Sequence, residues 1–419
     1  MSLFETLLEE FHASLSKMQV SVPRRYSFPD TDKMIKVAIG MRRTGKTYFL
    51  YQVIHELLAK KVPLQTILYI NFGDDRLLPM DQKQMAALLE AFYTFYPENH
   101  ERRCYLFLDA LQNVAGWELV VRRFFDTKNV QIYLTGSSAK LLSKEIATTL
   151  RGRSLAIEIW PYDFSEYLLA HAVKKPAKSH GKITMDIYQQ QFKNFLKVGG
   201  FPAIQGMPEN IARETLQNYV ETVIFRDVVE RHRVTNIALL KYLTSTLLKN
   251  MSSLFSGNKF YNDIKSQGYS VAKDTIYNFM DYLEDAYLIA TVPIWTESLR
   301  HSQIAQKKIY AVDNGLVQAN SFSQADNLGR LLENQVYLDL RRANKKIFYY
   351  RTAVGYEIDF VTESLAGERE LIQVVWDMQD PTTRAREERA LAFAEKELNI
   401  PGRIVDRETY LKAHFRIIV

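Results

Sequence analysis

Eight consecutive residues carry the clearest chemistry in the chain. Gly40-Met41-Arg42-Arg43-Thr44-Gly45-Lys46-Thr47 fits the pattern GxxxxGK[ST] in full. Its two glycines let the backbone turn tightly, and successive N–H groups can then surround a phosphate. A helix opening at Lys46, Thr47 and Tyr48 adds the positive end of its dipole. Lys46 is placed to reach the β- and γ-phosphates of ATP, and the Thr47 hydroxyl to ligate Mg²⁺. The partner of such a loop is a carboxylate at the end of a neighbouring strand. Cys104-Tyr105-Leu106-Phe107-Leu108-Asp109 supplies it: Asp109 is expected to hold Mg²⁺ through water.

The next position departs from what hydrolysis needs. ATPases of this type carry Glu after that Asp to orient the attacking water, and here stands Ala110. A methyl group neither accepts a proton nor aligns water, so the sequence predicts ATP binding with slow or absent turnover. Either Ala110 is native to a nucleotide-gated switch, or it replaces a glutamate so as to trap ATP. Further along, Thr135 and Ser137 follow an apolar run and are candidates for sensing the γ-phosphate. Arg151 and Arg153 are candidates for a finger directed at a neighbouring subunit's nucleotide.

These residues need a scaffold. Residues 36–39 read as a short strand entering the Gly-rich turn and 48–60 as the helix leaving it. Residues 66–72, 104–108, 130–134 and 155–160 read as buried strands, with a helix at 80–96. Apolar runs alternating with helices indicate an α/β fold with a parallel sheet. Before it, residues 1–30 read as an amphipathic helix, with Leu3, Leu7, Leu8 and Phe11 at helical spacing, and a Pro-containing connection. Past Pro161 the pattern becomes mostly helical, broken at Gly199-Gly200-Phe201-Pro202. Strands return at 308–312, 346–350, 357–361 and 371–376, with a helix at 331–342 among them.

The 419 residues suggest two or three domains. With 54 Lys and Arg against 48 Asp and Glu, the net charge is +6, compatible with either an uneven solvated surface or a nucleic-acid partner. No apolar run reaches the ~20 residues of a membrane span, and the N-terminus lacks a signal layout. One cysteine, Cys104, excludes an internal disulfide and fits a reducing cytoplasm.

Taken together, GMRRTGKT, YINFGDDRL, YLFLDALQNVAGWE, LTGSSAKLLSKEIATTLRGR and IWPYDFSEYL resemble AAA+ superfamily ATPases related to archaeal and prokaryotic STAND-like ATPases. VGGFP, IFRDVVER, TIYNFMDYLEDAYLI, KIYAVDNGL, LLENQVYLDLRR and GYEIDFV resemble the C-terminal domain that accompanies them. The resemblance implies an AAA+ core (31–165), a helical lid (166–235), a winged-helix module (236–300) and a C-terminal α/β domain similar to restriction-endonuclease-like nucleases (301–419). It also implies action as an oligomeric ring, such as a hexamer.

Nucleases of that fold use an acid on a helix, an Asp on one strand and Glu/Gln-x-Lys on the next. Glu333, Asp359 and Gln373 match those places, with Glu357 a further metal ligand beside Asp359. Val375 stands where the Lys would be, so the domain is expected to bind without cleaving. Lys259, Lys265, Lys273 and Arg300 are candidate DNA-phosphate contacts. Three readings follow: an ATP-driven DNA-handling machine, a signalling or defence switch that binds a protein, and a Mg²⁺-dependent nuclease.

Overall fold

Ile-Lys-Val-Ala-Ile at 35–39 is buried along its whole length, as a central parallel strand covered on both faces must be. In the computed structural model, which describes residues 2–18, 20–136, 152–173, 182–321 and 327–418, it is the strand that delivers the Gly-rich turn. Five strands form this sheet: β1 (Ile35–Ile39), β2 (Ile67–Asn71), β3 (Cys104–Asp109), β4 (Val130–Gly136) and β5 (Ser154–Glu158). Their order is β2-β3-β4-β1-β5, and every pairing is parallel. The sheet therefore places β1 between β4 and β5, and β3 beside β4, so the turn after β1 and the Asp109 end of β3 share one edge.

The Leu3–Ser14 helix starts with a capping box in which Ser2 and Glu5 satisfy each other's backbone N–H. It buries Phe4, Leu8 and Phe11, while Leu3 lies exposed. Of the expected stripe, Leu8 and Phe11 are buried and Leu7 is half-buried, while Phe4 takes the place of Leu3. Both choices have helical spacing, and the aromatic neighbours decide between them. Phe11 packs 5.7 Å from the Tyr69 ring on β2, and Phe4 lies 6.2 Å from Phe95 on the Gln82–Phe95 helix.

The chain divides into two compact units at Trp160/Pro161, rather than at the 165/166 boundary expected from the sequence. Pro161 begins a segment committed to the second unit. The Tyr162 N–H donates to the Gly200 carbonyl at 2.7 Å, and Asp163 caps the Phe164–Ala170 helix. Gly199 and Gly200 belong to the same junction. A side chain at Gly199 (φ 82°) would meet the Asp313 carboxylate 2.1 Å away, which is why the chain turns on glycine there.

Within the second unit, the Glu209–Thr222 helix runs on through a π-helical stretch at Val223–Val229. The next elements are the Ile237–Lys249 helix, β6 (Ser253–Phe255), the Gly257–Ser266 and Lys273–Asp285 helices, β7 (Ile289–Val292) and β8 (Lys307–Ala311). The three strands form one antiparallel sheet in the order β6-β8-β7. This sheet crosses the 300/301 boundary drawn from the sequence, because β8 lies between β6 and β7.

The remainder builds a four-stranded sheet in the order β9 (Lys346–Arg351), β10 (Glu357–Glu363), β11 (Arg369–Val374), β12 (Gly402–Val405). Its first two pairings are antiparallel and the last is parallel. The Leu328–Arg342 helix precedes β9, and the Pro381–Leu398 helix is the crossover from β11 to β12. Ile358, Val361, Leu371, Ala390, Leu391 and Ala394 form its core.

Candidate functional site

The Gly40–Thr47 turn leaves β1 at the carboxyl ends of the parallel strands, where open α/β sheets bind ligands. A Cβ at Gly40 (φ 143°) would lie 2.4 Å from the Ile159 carbonyl oxygen, so the loop approaches the exit of β5 as only glycine can. Gly45 is left-handed at φ 96° and caps the Lys46–Ala59 helix. Inside the turn, the buried Thr44 hydroxyl donates to the Met41 carbonyl at 3.0 Å. Arg24, also buried, donates to the Thr44 carbonyl at 2.7 Å and the Trp160 carbonyl at 2.6 Å. The loop is thereby pinned from outside its own motif.

Lys46 Nζ spans the loop mouth, donating to the Gly40 and Met41 carbonyls at 3.0 and 2.7 Å. The Thr47 hydroxyl donates to Asp109 Oδ2 at 2.7 Å, and the Tyr69 phenol to the same oxygen at 3.0 Å. Thr135 donates to Asp109 Oδ1 and accepts the Ala110 N–H at 3.0 Å. Asp109 is thus buried among three neutral hydroxyls, and among the described residues no ammonium or guanidinium pairs with it. Burial first, and then the nearby Asp109 charge, push the Tyr69 phenol far above its ordinary value, so it stays a donor. A hydroxyl and a carboxylate oxygen meeting beside a phosphate cradle are the hard donors Mg²⁺ takes. The residues therefore fit a magnesium nucleotide.

Ala110 adopts a left-handed backbone (φ 58°) at the lip of this cluster and offers only a methyl group. Arg43 is exposed, and Tyr48 is 56% exposed with its ring 5.7 Å from that of Tyr51. Arg153 pairs with Asp126 of its own chain. Ser137 and Arg151 lie outside the described residues. Sequence reasoning missed Arg24 and Tyr69. A tyrosine inside the apolar run ILYIN is the available signal for the second, because a buried phenol needs a partner; Arg24 lies in a connection with no local pattern.

The family described as "AAA domain" matches residues 32–168, which contain this arrangement except for Arg24. A second family, described as a domain of unknown function, matches residues 189–326. The Methanocaldococcus jannaschii uncharacterized protein MJ1544 is 36% identical over 406 residues, 95% of this chain and 87% of the relative. The chain belongs to this AAA-domain family. An uncharacterized Haemophilus influenzae protein is 30% identical over 85% of each chain. Among solved structures, similarity extends to the Aeropyrum pernix Orc1 protein in complex with DNA (13% identity, 79% of this chain and 94% of that one, TM-score 0.32). It extends also to the Thermotoga maritima RuvB Holliday junction branch migration motor (18% identity, 70% and 90%, TM-score 0.29). Likeness this loose transfers no residue roles.

Beyond the AAA domain, the second unit gathers Glu333, Glu357 and Asp359 around one atom. Lys308 Nζ lies 3.0 Å from Glu333 Oε1, 2.8 Å from Glu357 Oε1 and 2.8 Å from Asp359 Oδ1. Tyr310 donates to Glu333 Oε1 at 2.7 Å. Gln373 instead accepts the Asp359 N–H at 3.2 Å and donates to Glu387 at 2.8 Å. Burial, then the Asp359 charge, push the Glu333 carboxyl up to about 7. Lys308 is burdened by burial, but the surrounding carboxylates outweigh it and hold its pKa well above the usual lysine value. Lys308 went unnoticed in the sequence. Its signal is the pair Lys308 and Tyr310, which share one face of β8 by strand alternation.

The four cationic candidates are all exposed. Lys259 and Lys265 lie on the Gly257–Ser266 helix and Lys273 begins the next. Arg300 lies on the short Leu299–Ile304 helix. Lys265 and Lys273 each lie 5.9 Å from a tyrosine ring centroid, Tyr261 and Tyr277 respectively.

Proposed function

We propose that this chain is a MgATP-binding AAA+ ATPase whose own hydrolysis is slow or absent, and whose nucleotide state controls an oligomeric, DNA-handling assembly. The observation that carries the nucleotide part is the Asp109 carboxylate, bonded at once to the P-loop Thr47 and to Thr135 at the end of β4. That linkage lets the strand after β3 respond to what the loop holds, a role suited to a γ-phosphate sensor. Met41, Arg42, Arg43, Thr44 and Gly45 contribute backbone N–H groups, and Lys46 the charge for the β- and γ-phosphates. Mg²⁺, when bound, would neutralise developing phosphate charge. With Ala110 in the glutamate position, the methyl group that stands there aligns no attacking water.

The DNA part is supported by the helix-strand-helix-helix-strand order from Ile237 to Val292, completed by β8 after the short Leu299–Ile304 helix, an order close to that of a winged helix, and by exposed Lys259, Lys265 and Lys273 along it. The Lys273–Asp285 helix also exposes Asp274 and Asp281, which would repel phosphates if the helix lay in a groove. Binding through the lysines to the backbone, without base reading, is therefore the form we favour. The test is a salt titration of duplex and branched DNA binding with MgATP present. Affinity should fall steeply with salt, and reversing Lys259, Lys265 and Lys273 to Glu should abolish it. No binding to any DNA form at low salt would leave the protein-partner switch as the standing reading. A Mg²⁺-dependent nuclease finds no support in an acidic centre that holds an ammonium.

A further inference from the structure

The fold resemblance of the last 119 or so residues brings with it the expectation of a divalent metal among Glu333, Glu357 and Asp359. The residues present do not fit one. We infer that the Lys308 ammonium is the resident cation of this centre, a built-in replacement for the metal, and that the centre takes no divalent ion.

The geometry is the argument. Oxygens from all three carboxylates converge on Nζ at 2.8–3.0 Å, and the spot they define is occupied. A Mg²⁺ ion would need the same oxygens at about 2.0–2.1 Å, which puts it in contact with the ammonium. Two cations cannot share that position, so one must leave. Lys308 has nowhere to go. It is 1% exposed and its backbone is held on both sides, by Leu254 of β6 and Val292 of β7. Moving it would part a buried ammonium from its three carboxylates, which is costly.

Two of the carboxylates have further partners. Asp359 Oδ2 accepts the Val374 N–H at 2.8 Å, and the Tyr310 hydroxyl occupies Glu333. Among the described residues, no group of three or more His, Cys, Asp or Glu stands ready for a metal. Lys308 also comes from a different sheet than Asp359. The ammonium thus joins the β6-β8-β7 sheet to the four-stranded sheet and to the Leu328–Arg342 helix that carries Glu333.

The test uses the full chain without nucleotide and reads bound Mn²⁺ by electron paramagnetic resonance, alongside thermal unfolding with and without millimolar Mn²⁺. Glu357→Gln, half-exposed and mild, assigns any bound ion to the centre. The unsubstituted protein should show no Mn²⁺ signal sensitive to Glu357→Gln. Lys308→Ala should gain about one Mn²⁺ per chain, sensitive to Glu357→Gln, and should be stabilised by Mn²⁺ where the parent is not. If Lys308→Ala does not fold, Lys308→Gln keeps the chain length without the charge and serves the same comparison. A Glu357-dependent Mn²⁺ in the parent, or a folded Lys308 variant that neither binds nor responds to Mn²⁺, overturns the inference.

Discussion

Each unit of this protein buries an aspartate at the end of a strand or near it, and the two are satisfied in opposite ways. Asp109 is met by three hydroxyls, from Thr47, Tyr69 and Thr135. Asp359 is met by an ammonium, from Lys308, and by a backbone N–H. Hydroxyls orient a carboxylate without cancelling its charge, so Asp109 keeps an unspent attraction for a cation arriving with phosphate. An internal lysine cancels the charge for good, so Asp359 is a fixture of the fold. The lesson is that a carboxylate's partners, more than its burial, decide whether it is available for chemistry.

The largest effect should come from completing the first centre. Ala110→Glu restores the group that aligns water, and steady-state phosphate release should rise on the order of 10²–10⁴-fold. An unchanged rate would mean that Ala110 is not what limits turnover. Asp359→Asn should do the reverse kind of damage. It leaves Lys308 partly uncompensated and should destabilise the second unit by about 3–5 kcal/mol, read by denaturant unfolding, with nucleotide affinity unaltered. If nucleotide affinity fell instead, the two centres would not be independent in role.

Tyr69→Phe is gentler. It removes one donor from Asp109 and should weaken Mg²⁺-dependent nucleotide binding by about 1 kcal/mol, roughly fivefold, with little effect in EDTA. The same drop in EDTA would make Tyr69 a packing residue only. The smallest effect separates the units by pH. Burial holds Glu333 at about 7 and Asp313 at about 6, so the folded second unit binds protons that its unfolded form releases. Its stability should rise as pH falls from about 7 towards 5. In the first unit, burial lowers the His12 pKa, so stability should instead be lost as pH drops below the ordinary histidine value. Hydrogen exchange resolved by peptide should show these opposite slopes, and Glu333→Gln should flatten the first.

Much of the AAA domain was legible because its signals are local. Eight residues specify the loop, and buried parallel strands read as apolar runs, so β1 to β5 emerged within a few residues of their bounds. Strand order was not legible, since it depends on pairings between residues far apart. β6, β7 and β12 escaped because strands as short as SLF, IATV and GRIV carry no readable period. The acidic residues of the second unit could be named from the resemblance. That Lys308 closes them could not, because it arrives from another sheet 25 residues before Glu333 and 51 before Asp359. Tyr69 was hidden for the same reason, 40 residues from its aspartate.

The central claim is that the Gly40–Thr47 turn and Asp109 together hold a magnesium nucleotide. Calorimetric titration of ATP into the full chain, with and without Mg²⁺, measures it directly. The account predicts one nucleotide per chain, tighter with Mg²⁺, and a loss of at least about 100-fold, near 3 kcal/mol, in Lys46→Ala. Equal heats from the parent and Lys46→Ala, or none from the parent, would contradict it.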